Sequence, residues 1–232
     1  MQRLRHKKHI FFDLDDTLWD FQSNSERVLK ELYVEYDLGK KLNSEVQAFL
    51  DEYKRVNLLF WSLYGKGKID KTYLREQRFR ETFKRFNYDN DTDNASLTQD
   101  YLARAPKGSR LKEGCLEILN YLSQSHCLHI ITNGFREIQG VKIDSGGIRH
   151  FFQHIIISEE HGLNKPDERI FRLAEQLSGA ETADCVMIGD NLENDVEGAI
   201  NVGWEAIHLD NDNSADYNGM RIIELLELKK FF

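Results

Sequence analysis

Residues 9–21 read HIFFDLDDTLWDF, and this stretch carries the strongest structural signal in the chain. The run from His9 to Phe12 is short and rich in apolar and aromatic residues, which is typical of a strand. Asp13 and Asp15 follow in a cluster that favours a turn or a helix cap. The sequence therefore predicts two carboxylates at the carboxyl end of a strand, where open α/β sheets bind ligands.

The two aspartates also indicate a kind of chemistry. Asp13 and Asp15 are two residues apart, so in an extended segment their side chains point to the same side and can converge on one small site. Two carboxylates held close together raise each other's pKa unless a divalent cation offsets their repulsion. The pair therefore predicts either bound Mg²⁺ or one protonated carboxyl. On the spacing alone, an equally good interpretation is that Asp15 and Asp16 cap the next helix.

Composition predicts a globular protein that acts on a small molecule. The chain has 232 residues and a formal charge of -8 at pH 7, which argues against binding to a nucleic acid polymer or an anionic membrane. Cys115, Cys127 and Cys185 lack the spacing of a disulfide or zinc framework and predict buried thiols in a reducing compartment. The apolar run after the basic residues 1–8 is too short for a signal peptide or a membrane span. We therefore expect a cytoplasmic protein.

The stretch over residues 19–105 is expected to be helical. It shows apolar residues at helical spacing and no convincing strand. The clearest helix is predicted over residues 43–64, and another is predicted to begin at Asp70. The polar run 87–96 is expected to be a loop.

Beyond residue 105 the pattern alternates between helices and strands, which indicates βαβ units and a parallel sheet. In addition to the first strand, strands are predicted at four places: 128–132, 154–158, 185–188 and 205–209. A strand at residues 9–13 cannot form a domain by itself, so we expect it to pair with these strands. The predicted fold class is α/β, with residues 1–18 and 106–232 forming a core and residues 19–105 a helical insert after the first strand.

Two segments at predicted strand ends carry groups suited to an anion. In HIITNG, the hydroxyl of Thr132 and the amide and backbone N–H of Asn133 match phosphate oxygens. In NKPDERIF, Lys165 precedes Pro166, the expected first residue of a helix, so a cation is predicted beside exposed N–H groups. Taken singly, Thr132 could be an ordinary strand residue and Lys165 a surface charge.

A third segment supplies carboxylates. In VMIGDNLEND, Asp190 ends a predicted strand and Asp195 follows about one turn into a helix, a pattern that can hold a hard cation through oxygen. Taken singly, Asp190 or Asn191 could be a helix cap. Together, however, the strand-end residues favour a site for a phosphate and a metal ion.

Four segments in chain order, FFDLDDTL, IITNG, the lysine of NKPD, and GDNLEND, resemble the motifs of the haloacid dehalogenase-like (HAD) hydrolase superfamily. The resemblance spans essentially the whole chain and implies a Rossmann-like core with the insert as a helical cap. It implies that Asp13 is the nucleophile and Asp15 the general acid and base, with Thr132 and Lys165 binding the phosphoryl group. Dehalogenases of the superfamily lack the second aspartate, so Asp15 argues for phosphoryl transfer.

The resemblance also implies a cofactor and its ligands. Mg²⁺ is expected to bind to Asp13, to the backbone carbonyl of Asp15 and to Asp190. Asp195 is expected to support the metal site or to pair with Lys165.

Substrate choice is expected to depend on the cap. Four segments look like those of pyrimidine 5′-nucleotidases: NLLFWSLYGKGKI, FDLDDTLWDF, ITNGFREIQ and ISEEHGLNKPDERIF. This resemblance implies a pyrimidine nucleoside monophosphate as substrate. Asn57 and Trp61 lie one helical turn apart, and we expect them to contact the base. An equally good interpretation is that Asn57 bonds a buried backbone carbonyl and that Trp61 and Tyr64 fill the core of the insert. The alternatives are a sugar-phosphate or general small-metabolite phosphatase and, less favoured, an inactive HAD-type binding module.

Overall fold

The computed structural model of the protein describes residues 4–210 and 217–232. The chain folds into two compact units, one of them Gln22–Gly108 and the other the described part of Met1–Phe21 and Ser109–Phe232. The sequence predicted the corresponding domain boundaries after residue 18 and after residue 105. Below, the first of these is called the helical unit and the second the sheet unit.

The sheet unit is built on six parallel strands: β1 (His9–Phe12), β2 (Cys127–Thr132), β3 (Phe152–Ile157), β4 (Cys185–Gly189), β5 (Glu205–Leu209) and β6 (Met220–Ile222). They lie in the order β3-β2-β1-β4-β5-β6. The predicted α/β fold with a parallel sheet is therefore confirmed. The sixth strand was not predicted, because an edge strand of 3 residues is too short to show a pattern of its own.

Helices cover both faces of the sheet. Ile10 and Phe12 pack into one apolar cluster and Phe11 into another, as the alternation of side chains along a strand requires. Burial on both faces explains why the strands read as nearly continuous apolar runs. The helices of this unit are α6 (Cys115–Leu122), α7 (Arg136–Ser145), α8 (Ser158–His161), α9 (Glu168–Ser178) and α10 (Gly198–Asn201), numbered after the five of the helical unit.

The central position of β1 determines where the site lies. Phe12 aligns with Ile130 of β2 on one side and with Ile188 of β4 on the other. Because all three strands run in the same direction, their carboxyl ends meet at one edge. The residues that follow β1 and β4, and the last residue of β2, are therefore neighbours.

The helical unit contains α1 (Phe21–Glu35), α2 (Leu38–Leu42), α3 (Val46–Gly65), α4 (Lys71–Lys84) and α5 (Asp91–Arg104), the first of which begins one residue before it. Its core is rich in aromatic side chains, among them Phe49, Tyr53 and Phe79. The ring centroids of Tyr53 and Phe79 are 5.0 Å apart. This unit therefore has an apolar core of its own.

The expectation of a loop over residues 87–96 is wrong from Asp91 onward, where α5 begins. Asn90 caps this helix, and its side-chain oxygen accepts a hydrogen bond from the backbone N–H of Asp93 at 3.0 Å. Asp91 and Asp93 lie in the first turn, where negative charge is favourable. The polar residues that indicated a loop are thus the capping residue and the first turn of a helix.

The three cysteines are free thiols. Cys115 and Cys185 are buried, whereas Cys127 is only partly buried, which corrects the expectation for that residue. Among residues 4–210 and 217–232, none of the helices has the length and apolar character needed to cross a membrane.

Replacing the α5 cap should destabilise the helical unit. Asn90→Ala removes the acceptor for the Asp93 N–H, and loss of such a cap costs ~1 kcal/mol. A urea titration should therefore show a lower midpoint with an unchanged slope. Gln99→Ala, at an exposed position of the same helix, is the matched control and should leave the midpoint unchanged. Equal midpoints for Asn90→Ala and the parent protein would contradict the capping role.

Candidate active site

Asp13 lies just beyond β1, with its carboxylate against the ammonium of Lys165. The Asp13 N–H donates to the carbonyl of Ile188 at 2.9 Å, which continues the pairing with β4. Lys165 Nζ donates to Asp13 Oδ1 at 2.6 Å and to the carbonyl of Ile131 at 2.7 Å. It also forms an ion pair with Asp195 Oδ1 at 2.6 Å. One buried ammonium thus connects the ends of β1 and β2 with the segment after β4.

Asn133 holds the backbone of Lys165. Its Nδ2 donates to the Lys165 carbonyl, and its Oδ1 accepts from the Lys165 N–H, both at 2.8 Å. Oδ1 also accepts from the hydroxyl of Ser158 at 2.7 Å. The side-chain amide therefore shapes residues 162–167, called the lysine loop below, and phosphate binding by this amide stays a prediction. Phosphate binding by the Asn133 backbone N–H stays a prediction.

The lysine loop also ends differently from the prediction. Helix α9 begins at Glu168, and Asp167 caps it by accepting a hydrogen bond from the N–H of Arg169. Pro166 is therefore not the first residue of the helix. The Asp167 carboxylate accepts a hydrogen bond from a backbone N–H in the first turn of the helix. A proline side chain has no acceptor atom and cannot cap a helix in this way.

The segment after β4 carries Asp190 and Asp195. The hydroxyl of Thr17 donates to Asp190 Oδ1 at 3.2 Å and accepts from the Asp190 N–H at 3.0 Å. His208 Nε2 lies 2.9 Å from the Asp190 carbonyl and donates to it. A Cβ added at Gly189 would lie 2.2 Å from Asp195 Oδ2, so glycine at this position lets that carboxylate reach the site.

Burial determines the charge state of these groups. Desolvation raises the pKa of Asp13 to about 7, although Lys165 acts in the opposite direction. Burial and the charges of Asp13 and Asp195 hold the pKa of Asp190 well above its ordinary value. Burial lowers the pKa of Lys165, but the same two carboxylates outweigh it and raise that pKa. Burial therefore favours the protonated form of Asp13, whereas Lys165 favours its carboxylate.

Asp13, Asp190 and Asp195 form a cluster that fits a divalent cation. Each offers a ligand oxygen, and these oxygens all lie within 4.8 Å of one another. Carboxylate oxygens are the ligands that Mg²⁺ and Ca²⁺ prefer. The pKa of Asp190 is raised by burial first and then by repulsion from Asp13 and Asp195, and a cation would offset that repulsion. Two of these three residues, Asp13 and Asp190, were predicted as ligands, and Asp195 was expected in support.

The carboxylate of Asp15 points to different partners. Its Oδ1 and Oδ2 accept from Lys142 Nζ at 2.7 and 2.8 Å, and Oδ2 also accepts from Gln139 Nε2 at 3.0 Å. The same Gln139 Nε2 donates to Thr132 Oγ1 at 2.6 Å. The Asp15 side chain therefore lies outside the cluster of three carboxylates, because donors on α7 bind it. Metal binding through the Asp15 carbonyl stays a prediction.

The two residues expected to contact a base, Asn57 and Trp61, lie on α3 in the helical unit. Asn57 is buried, and its Oδ1 accepts from Arg78 Nη1 at 2.9 Å. Trp61 is partly buried and packs edge-on against Tyr64, with ring centroids 5.7 Å apart. The oxygen of the Asn57 amide is thus already hydrogen-bonded within the helical unit. Recognition of a base by Asn57 and Trp61 stays a prediction.

Thr17, His208, Gln139 and Lys142 were missed by the sequence reasoning. For the last two the sequence does contain a signal. Gln139, Lys142 and Ile143 recur at helical spacing and are all buried, while Val141 between them is 37% exposed. Polar residues on the face that a helix buries indicate a specific partner.

The chain is similar to known proteins over nearly all of its length. The family model of haloacid dehalogenase-like hydrolases matches residues 7–203. A crystal structure of YfnB from Bacillus subtilis, a HAD-hydrolase solved with magnesium bound, superposes with a TM-score of 0.86 at 26% identity. That match covers 96% of this chain and 97% of the YfnB chain.

Relatives of assigned activity are phosphatases with different substrates. The pyrimidine 5′-nucleotidase YjjG of Escherichia coli is 31% identical over 84% of this chain and 82% of its own length. The pyrimidine 5′-nucleotidase PynA of Streptococcus pneumoniae is 29% identical over 90% and 88%, respectively. The phosphoserine phosphatase of Thermus thermophilus is 39% identical over 88% of each chain.

Divalent-cation binding should stabilise the fold more strongly as the pH rises. The pKa of Asp13 is raised from 3.8 to about 7, so the metal-free folded protein binds an extra proton between these values and loses stability as the pH rises through them. A cation must displace that proton below pH 7. Mg²⁺ should therefore raise the melting temperature more at pH 8 than at pH 5.5. At pH 8, Mg²⁺ at one hundred times its dissociation constant should add ~2.7 kcal/mol to the free energy of unfolding.

The matched variant for this measurement is Asp190→Asn, which removes one ligand charge from the cluster. Its melting temperature should respond much less to Mg²⁺ at either pH. Melting curves of both proteins in Mg²⁺ and in EDTA provide the comparison. Equal Mg²⁺ shifts at the two pH values, or an undiminished shift in Asp190→Asn, would contradict the assignment.

Proposed function

The chain belongs to the haloacid dehalogenase-like hydrolase family, and from this premise we propose that it is a Mg²⁺-dependent phosphomonoester hydrolase that forms an aspartyl phosphate on Asp13. We further propose that its substrates are pyrimidine nucleoside monophosphates and that it acts in the cytoplasm. In this proposal the helical unit acts as the cap.

The observation that carries the proposal is the pairing of a buried carboxylate with a buried ammonium at the end of β1. The side chains of Asp13 and Lys165 are 12% and 1% exposed, and their charged atoms are 2.6 Å apart. A nucleophilic carboxylate needs no separate base, and an ammonium beside it attracts the phosphate dianion. Burial strengthens the attraction between this ammonium and the phosphate, because the surrounding dielectric is low.

In the first step an Asp13 carboxylate oxygen attacks phosphorus, and the bond between phosphorus and the ester oxygen breaks. Asp15 donates a proton to the departing oxygen, which leaves as an alcohol. Lys165 and the hydroxyl of Thr132 stabilise the negative charge on the equatorial oxygens. The product of this step is the aspartyl phosphate.

In the second step water attacks phosphorus and gives a proton to Asp15. The bond between phosphorus and the Asp13 oxygen breaks, which releases inorganic phosphate and restores the carboxylate. Asp15 is then protonated for the next cycle.

The residues that would hold the cation are Asp13, Asp190 and Asp195, with the Asp15 carbonyl as a further ligand. When bound, Mg²⁺ supplies positive charge that offsets the repulsion between carboxylates and phosphate dianion. Asp195 also accepts from Lys165, so it can orient the lysine and neutralise part of its charge.

The nucleotide assignment is supported by two relatives that are pyrimidine 5′-nucleotidases, YjjG and PynA. A phosphatase for another small phosphomonoester is the second candidate, and the phosphoserine phosphatase at 39% identity favours it. In this proposal the catalytic residues contact only the phosphoryl group. They therefore fit both a nucleotidase and a phosphatase for another small phosphomonoester.

Two substitutions should separate the roles of the aspartates. Asp13→Asn should abolish formation of the phosphoenzyme, because it removes the attacking carboxylate. Asp15→Asn should slow both formation and hydrolysis of the phosphoenzyme, and turnover should fall ~10²-fold or more. Acid quenching with ³²P-labelled substrate measures both rates. Near-normal turnover by Asp13→Asn, in a preparation free of the parent enzyme, would exclude it as the nucleophile.

A phosphate-release panel should identify the substrate class. It would compare pyrimidine and purine 5′-monophosphates, phosphoserine, and hexose, pentose and triose phosphates, each with Mg²⁺ and with EDTA. We expect the highest kcat/KM for pyrimidine nucleotides and no turnover in EDTA. A ranking led by phosphoserine or a sugar phosphate would overturn the nucleotide assignment and leave the phosphatase assignment intact. No release from any member, nor from p-nitrophenyl phosphate, would favour an inactive binding module.

A further inference from the structure

Helix α7 buries polar side chains and exposes an apolar one. Gln139 and Lys142 are 0% and 6% exposed, whereas Val141 is 37% exposed. A helix that only packed against the sheet would show the reverse pattern. Burial of an ammonium is costly unless it is well paired, so these side chains must have strong partners.

The ammonium of Lys142 interacts with three residues: Asp15, Trp19 and Phe21. Its Nζ donates to both carboxylate oxygens of Asp15 at 2.7 and 2.8 Å. It also lies 5.0 Å from the ring centroid of Trp19 and 5.4 Å from that of Phe21, within the range of a cation–π interaction. Contact with both oxygens restricts rotation of the Asp15 carboxylate, and the two rings restrict movement of the ammonium.

Gln139 connects Asp15 with the threonine expected to bind phosphate. One amide nitrogen donates to Asp15 Oδ2 at 3.0 Å and to Thr132 Oγ1 at 2.6 Å. Because the Thr132 oxygen accepts this bond, its own hydrogen can be donated to a phosphoryl oxygen. A Cβ added at Gly134 would lie 2.2 to 2.6 Å from the Gln139 amide atoms, so glycine there makes room for the bridge.

We propose that Lys142 and Gln139 are positioning residues that hold Asp15 in the orientation for proton transfer, with Gln139 aligning Thr132 at the same time. The proposal rests on the proposed phosphohydrolase function, since Asp15 is the proton donor and acceptor only in that mechanism. Neither residue contacts the phosphoryl group in this role. Their effect is exerted through Asp15 and Thr132.

A positioning role for Lys142 predicts dependence on the leaving group. An alkoxide leaving from a nucleotide needs a proton, whereas p-nitrophenolate is a stable anion that leaves without one. Misplacement of the proton donor should therefore slow phosphoryl transfer from an alkyl ester far more than from an aryl ester. A general loss of structure would slow the two reactions equally.

The experiment measures the rate at which Asp13 becomes phosphorylated, by rapid acid quenching in excess Mg²⁺. The substrates are uridine 5′-monophosphate and p-nitrophenyl phosphate. Lys142→Met should slow transfer from the nucleotide ~100-fold and transfer from the aryl phosphate less than ~5-fold. Hydrolysis of the phosphoenzyme should also slow, so the aryl substrate should show a burst of p-nitrophenol followed by slow turnover.

Lys229→Met is the matched control. Lys229 also pairs with a carboxylate, Glu117 at 2.6 Å, and lies over an aromatic ring, Tyr121 at 5.6 Å, but it belongs to the terminal segment Leu225–Lys230. Its substitution should leave both rates unchanged. Circular-dichroism melts of each variant verify folding.

Gly134→Ala provides a second route to the same disturbance, because it displaces Gln139 and leaves Lys142 in place. It should show the same preference for the aryl ester, even if Lys142→Met does not fold. Equal slowing of both substrates in folded variants, or no slowing, would overturn the positioning role. If the parent enzyme forms no phosphoenzyme from either substrate, the proposed function itself fails and this inference fails with it.

Discussion

The buried ammonium of Lys165 is the interaction on which the site depends. It is 2.6 Å from both Asp13 and Asp195, and its side chain is 1% exposed. Removing one partner from such an arrangement leaves an uncompensated buried charge, which is strongly destabilising. The two carboxylates therefore keep the lysine charged, and the lysine keeps the two carboxylates close together. In the proposed function, the same charges receive a phosphate dianion and a cation.

Much of the surrounding backbone serves this contact. Asn133 satisfies both the N–H and the carbonyl of Lys165, so the lysine loop is held by a side chain that sequence patterns assign to phosphate. Gly189 and Gly134 make room for Asp195 and Gln139, respectively. Glycine in these two motifs is therefore explained by the close approach of a neighbouring side chain, and positive φ is not the reason at either position.

The carboxylates at the edge of the sheet lie in two separate groups. Asp13, Asp190 and Asp195 combine oxygen ligands with raised pKa values for Asp13 and Asp190, as expected where a cation and a phosphate bind. Asp15 has an ammonium and an amide of its own. This separation gives two carboxylates of the same segment different environments, so that in the proposed mechanism one serves as nucleophile and the other as proton carrier.

The sequence by itself determined the parallel α/β fold and the residues at the strand ends, because strand periodicity and strand-end carboxylates are local patterns. It also determined that the segment before Pro106 is helical. Only the tertiary structure decided which charges meet. Asp15 and Lys142 are separated by 127 positions, and no local pattern encodes that contact. The same holds for Asn57, whose partner Arg78 lies on the next helix, and for the raised pKa of Asp13, which results from burial by distant segments. Local sequence specifies which groups are available, whereas packing specifies their partners and their charge.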